Sequence, residues 1–179
     1  MVVFNEGRNT MCLRTLTLSA IAALVLTSLP GSAVGQMEKP LSEQLLGTWT
    51  LVSWEQDVVN GPRFQRFGAS PKGFHIFDVN GRFYITFLRP DLPKLASGNP
   101  LTPTPEEAKA IVSGSITLFG TYTIDEQAKV VTLNIDFSSF PNQLGSPQKR
   151  TITSITPTEL KYQNTTATAG GQIYYVFKR

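Results

Sequence analysis

A single histidine, His75, sets narrow limits on the chemistry open to this chain of 179 residues. One histidine excludes a three-His zinc site. A Ser–His–Asp arrangement would have to run through it, and no Gly-x-Ser-x-Gly turn accompanies it. His75 lies two residues before Phe77, so in an extended segment both side chains share a face. Facing inward, the imidazole orients a polar group on a ligand; facing outward, it is a surface residue. Glu55 is the second candidate. A carboxylate inside an apolar enclosure needs a raised pKa or a partner, and Arg150 and Asn134 are the partners to test. At an open rim Glu55 would simply sit in water. Ser53 shares the face of Glu55 under strict alternation, and Tyr84 joins Glu55 and His75 as an acid–base candidate. No catalytic residue, metal site or cofactor site follows from these residues alone. No glycine-rich phosphate loop opens a helix, and Gly170-Gly171 falls between strands, where it reads as a turn.

The elements that must position these side chains are mostly strands. Leu46-Gly47-Thr48-Trp49-Thr50-Leu51-Val52-Ser53-Trp54-Glu55 alternates with period two. Trp49, Leu51, Ser53 and Glu55 fall on one face, and Trp49 is large enough to plug one end of a small barrel. Residues 41–46 suit one helical turn with Ser42 as cap. The segment 59–72 contains Gly61-Pro62, Gly68 and Pro71 and reads as a long loop. It carries Phe64 and Phe67, which either cover a mouth or pack on an outer wall. Asp78-Val79-Asn80-Gly81 predicts a tight hairpin between strands 73–78 and 82–88, with the Asn-Gly pair supplying the positive φ angles such a turn needs. Thr104-Pro105-Glu106-Glu107 predicts a capped helix that Gly114 ends. Further strands are expected at 115–124, 130–137, 148–155, 159–163 and 172–177. The fold class is therefore all-β: an eight-stranded up-and-down antiparallel barrel with one short helix.

Residues 1–35 have the order of a cleaved export signal, which leaves 36–179 as the barrel domain. Arg8 and Arg14 precede an apolar run over 16–29, and Ser32-Ala33-Val34-Gly35 supplies small residues for cleavage. The run is short for a membrane span, so no span is expected after cleavage. The chain is expected to be periplasmic or extracellular. Cys12, the only cysteine, lies before the apolar run, which argues against a lipid anchor and leaves the exported domain without a thiol. Without residues 1–35, 14 basic and 12 acidic side chains remain, a net charge of +2. That even balance, with the basic residues scattered, does not suit nucleic acid. The aromatic residues are read as barrel filling and outer clusters. Asn164-Thr165-Thr166 fits a glycosylation sequon, relevant only in a eukaryotic secretory path.

Several of these blocks together resemble the lipocalin-like domain family of the calycin group, over about 45–179. Gly47-Thr48-Trp49 is similar to the lipocalin Gly-x-Trp signature. Pro71-Lys72-Gly73 and Asn80-Gly81-Arg82 resemble the family's second and third strands. Thr104-Pro105-Glu106-Glu107-Ala108 with Gly120-Thr121-Tyr122-Thr123-Ile124-Asp125 resembles its helix and fourth strand, and Phe140-Pro141-Asn142, Gly145, Gln148 and Arg150 a further shared block. The resemblance implies an eight-stranded barrel with a central cavity and no established catalytic residues. A tyrosine common in the second strand is replaced within His75-Ile76-Phe77. For the arginine that packs on the Trp, Arg150 and Arg179 are the candidates.

Three functions follow as expectations. The first is an exported barrel that binds a small apolar or amphipathic molecule, with Ser53, Glu55, Phe64, Phe67, His75, Phe77, Tyr84, Asn134 and Arg150 as candidate ligand contacts. The second is an enzyme of the same fold, an isomerase or cyclase, using a buried acid–base group. The third is a plugged barrel serving as a structural or interaction module.

Overall fold

Alternating burial builds each wall. The structure, a computed structural model, describes residues 39–58, 60–164 and 171–179. The expected export leader with Cys12, the sequon and the expected Gly170-Gly171 turn lie wholly or partly outside those residues. The described elements run α1 (Leu41–Leu45), β1 (Gly47–Gln56), β2 (Lys72–Phe77), β3 (Arg82–Leu88), α2 (Pro105–Gly114), β4 (Ser115–Asp125), β5 (Val130–Ser138), a 3-10 turn at Pro141–Gln143, β6 (Gln148–Ile155), β7 (Glu159–Asn164) and β8 (Ile173–Lys178). In β3, Phe83, Ile85 and Phe87 are buried while Tyr84 is exposed. In β5, Val131, Leu133 and Ile135 are buried while Asn134 lies on the other face. Every strand pairs antiparallel with its sequence neighbour, and β8 returns to β1, so the eight strands close. Closure leaves no free sheet edge.

Antiparallel order sorts the connections onto two ends. At one end lie 78–81, 126–129 and 156–158, all short, together with α1 and the end of β8. At the other lie 60–71, 89–114 with α2 and 139–147, all longer, together with the end of β7 and the start of β8. The first end is closed. Trp49 is fully buried there, its indole Nε1 donates to the Leu45 carbonyl at 2.7 Å, and the Arg179 guanidinium lies 4.0 Å above its ring. Arg179, and not Arg150, is therefore the arginine that packs on this tryptophan.

Local chemistry differs from the sequence expectation at three places. Ser42 does not cap α1; the Glu126 carboxylate accepts from the Leu41 and Ser42 backbone N–H groups at 2.8 and 2.9 Å. In the first hairpin only Gly81 is left-handed, at φ 76°, while Asn80 is not. The Gly81 N–H donates to the Asp78 carbonyl at 3.1 Å. That pattern suits a type I turn closed by a left-handed glycine better than a turn with two positive φ angles. Third, β1 is not one unbroken alternation. Leu51 pairs with Phe177 and Ser53 with the adjacent Val176, so a bulge absorbs one residue. Past it the faces swap: Trp54 and Gln56 point in, and Ser53 and Glu55 point out.

One expectation matches closely. Thr104 caps α2 with a full capping box: its hydroxyl accepts from Glu107 N–H at 3.2 Å and Glu107 accepts from Thr104 N–H at 2.8 Å. Gly73, at φ 128°, lets β2 press against β3. A Cβ there would stand 1.9 Å from the Thr86 carbonyl oxygen.

Candidate functional site

The lower half of the barrel is filled. Trp49, His75, Phe77, Phe83, Leu133, Leu160, Tyr162 and Phe177 are all almost fully buried, and none of them lines the cavity that opens above. Above them a cavity of about 790 Å³ opens between the long loops. Its walls come from the loop-side ends of six strands: Trp54 and Gln56 from β1, Ile85 and Phe87 from β3, Ile116 and Leu118 from β4, Gln148 and Arg150 from β6, Asn164 from β7, and Ile173 and Tyr175 from β8, with Ser139 just past β5. Phe64 and Phe67, from the 60–71 loop, and Lys109, Ile111 and Val112, from α2, frame the mouth.

The loop carrying the two phenylalanines is anchored on both sides. Residues Gln56 and Phe64 form an isolated bridge, each backbone N–H donating to the other's carbonyl at 2.9 and 2.8 Å. Trp54 meets Phe64 edge-on at 6.3 Å and Phe67 at 5.5 Å. Both phenylalanines therefore border the cavity and do not pack on the outer wall. The arginines beside them are held by protein groups. Arg63 pairs with Glu55 at 3.2 Å and Asp57 at 3.1 Å and lies over Tyr174. Arg66 donates to the carbonyls of Ser113, Val112 and Ser115, at the C-terminal end of α2. Partial burial lowers the Arg66 pKa from its usual value. Carbonyls at a helix C-terminus favour a cation.

The polar floor is Arg150. It is 3% exposed. One terminal nitrogen donates to Gln148 Oε1 at 2.6 Å and the other to the Lys149 carbonyl at 3.3 Å. Its guanidinium lies 5.9 Å from the Tyr162 ring and 5.6 Å from the Tyr175 ring. Below, the Tyr162 hydroxyl and His75 Nδ1 share a hydrogen bond of 3.0 Å. Burial, reinforced by the Arg150 charge, pushes the His75 pKa well below its ordinary value. Burial pushes the Tyr162 hydroxyl well above its own. Both groups are therefore neutral at pH 7.

The sequence candidates divide accordingly. Phe64, Phe67 and Arg150 border the cavity. His75 and Phe77 point inward but sit in the plug, ring centroids 3.9 Å apart. Ser53 and Glu55 are corrected to the outer face because the bulge swaps the faces of β1. Tyr84 is corrected to the outer wall, stacked on Phe119, because its neighbours Phe83 and Ile85 take the inner face. Asn134 is corrected outward for the same reason. The three acid–base candidates are thus not brought together, and neither Asn134 nor Arg150 meets Glu55. Trp54, Gln56, Gln148, Asn164 and Tyr175 were missed. For Gln148 the signal was present, since it shares an alternating face with Arg150 and Ile152. Among the described residues no cluster of three or more His, Cys, Asp or Glu could hold a metal. No described helix is long and apolar enough to cross a membrane.

The isolated, buried histidine has a measurable consequence. With the folded pKa below the unfolded one, protonation favours the unfolded chain. The contribution is fully present above about pH 6.5 and is lost as pH falls below it, with a slope approaching about 1.4 kcal/mol per pH unit. Urea unfolding between pH 7.5 and 5 should show that fall, and His75→Gln should flatten it. A slope unchanged in His75→Gln would assign the effect elsewhere.

A closed antiparallel barrel, plugged at one end and hollow at the other, is of the binding type. Sequence comparison matches the family described as lipocalin-like domain over residues 46–173, and the chain belongs to that family. Its sequence matches no curated protein. Solved structures similar to it include a lipocalin-like protein from Bacteroides uniformis ATCC 8492, 14% identical, with 76% of this chain and 98% of that chain covered and a TM-score of 0.41. A redesigned beta barrel is 15% identical, with 77% and 93% covered and a TM-score of 0.40.

Proposed function

We propose that this protein is an exported carrier that holds one small apolar or amphipathic molecule in the upper half of its barrel. The observation that carries this reading is the cavity of about 790 Å³, walled by Trp54, Phe67, Phe87, Ile116 and Leu118 over a polar floor. Small-molecule sites have this volume and this mix of apolar wall and few polar groups. The order of residues 1–35 supports export.

Native mass spectrometry of protein purified from its own source reads both parts at once. The expected species begins near Gln36, lacks Cys12 and carries a small-molecule adduct. The neutral dye N-phenyl-1-naphthylamine should bind the protein stripped of that adduct. Ile116→Phe, which fills the wall, should weaken dye binding by about tenfold or more, the equivalent of about 1.4 kcal/mol. A folded protein that carries no adduct and does not bind the dye would overturn the carrier reading.

A further inference from the structure

We propose that the cavity selects an amphiphile with an anionic head, an alkyl-chain carboxylate in chemical class, and that Arg150 receives the head. This rests on the carrier reading and specifies its ligand.

The charge of the lining is one-sided. Arg66, Lys109 and Arg150 border the cavity, and no Asp or Glu does. Arg66 is committed to the carbonyls of Val112, Ser113 and Ser115. Lys109 stands on α2 at the mouth. Arg150 is different, being buried and surrounded by neutral groups. Its contacts include the Gln148 side chain, the Lys149 carbonyl, two tyrosine ring faces and the Tyr162 hydroxyl, all of them neutral groups. Its Nε has no hydrogen-bond partner among the described residues. Among those residues the ion pairs join Arg63, Arg82, Arg89 and Lys161 to carboxylates and leave Arg150 out.

A guanidinium is a permanent cation. Burying it without a counter-charge is costly, and an anion entering the same low-dielectric space offsets that cost. The planar guanidinium donates to a carboxylate at two points, a match that an ammonium group lacks. Gln148 already fixes its orientation. Arg150 lies on the floor and the aromatic and aliphatic side chains rise from it toward the mouth, so the head sits deep and the chain runs outward between Phe67, Phe87 and Ile116.

The full protein, stripped of bound molecules, is titrated at pH 8 with decanoate, decan-1-ol and decylamine, each displacing N-phenyl-1-naphthylamine. Decanoate is expected to bind about tenfold or more tighter than decan-1-ol, the ratio one charge-assisted hydrogen bond supplies. Decylamine should be weakest. Arg150→Gln should bring decanoate down to the level of the alcohol while retaining the dye. Equal affinity of the wild-type protein for decanoate and decan-1-ol overturns the anionic-head assignment and leaves the carrier reading standing. Failure to bind the dye, in a folded protein that also carried no adduct when purified, removes both. The wild-type comparison needs no variant, so a poorly folded Arg150→Gln does not spoil the test.

Discussion

Trp49→Ala is expected to destabilise the protein by about 3–5 kcal/mol, the range for deleting a buried aromatic side chain. Against a total of about 5–15 kcal/mol for an ordinary domain, that is a large share. The side chain is fully buried and does three things at once. It fills the closed end beside Leu45, it satisfies the Leu45 carbonyl, and it gives the Arg179 guanidinium a ring to lie on. Arg179 in turn donates to carbonyls of Pro157, Leu46 and Gln44, tying the 156–158 turn and α1 to the end of β8. Removing the indole leaves a cavity and loosens that clamp. Arg179→Ala should cost less, because an exposed cation–π contact is worth about 0.5–1 kcal/mol. Urea unfolding followed by far-UV circular dichroism ranks the two. A Trp49→Ala loss below that of Arg179→Ala would remove Trp49 from its place as the plug.

The plug was legible in the sequence, whereas much of the site was not. Gly47 and Trp49 announce the closed end because only a large aromatic two residues past a flexible entrance fits there. Strand count and order follow from turn residues and alternation, both local signals. What defeats local reading is register. Strict period two in β1 assigns Ser53 and Glu55 to the interior, and nothing in Val52-Ser53 marks the bulge that turns them out. No glycine or proline stands there, and the bulge shows only in the pairing of β1 with β8, the strand most distant in sequence. By contrast, the outward positions of Tyr84 and Asn134 follow from their own strands, since three apolar residues on the opposite face of each settle which side is wet. The polar floor depends on pairing between strands, because Arg150, Tyr162 and Tyr175 come from β6, β7 and β8 and converge only when those strands are in register.

Phe67→Ala and Phe64→Ala should separate packing from access, although the two residues sit three apart in one loop. Phe67 is 1% exposed and meets Trp54 at 5.5 Å and Phe87 at 5.9 Å. Its deletion should cost about 3–5 kcal/mol. Phe64 is 53% exposed and touches Trp54 from the mouth side. Exposed side chains lose little burial on truncation, so Phe64→Ala should stay within about 1 kcal/mol of wild type. Its effect should fall on kinetics. The bridge to Gln56 and the Arg63 and Arg66 contacts use groups outside the Phe64 side chain, so the loop keeps its place while one wall of the mouth is cut away. Association and release of N-phenyl-1-naphthylamine should therefore both quicken in Phe64→Ala, with a smaller change in affinity. Replacing both residues together would merge the two effects, and for that reason the single variants are the informative ones. Stopped-flow fluorescence measures the rates and urea unfolding the stability. If Phe64→Ala leaves both rates at the wild-type values, the residue does not gate the mouth. If Phe67→Ala unfolds at the wild-type urea midpoint, the loop is not part of the core.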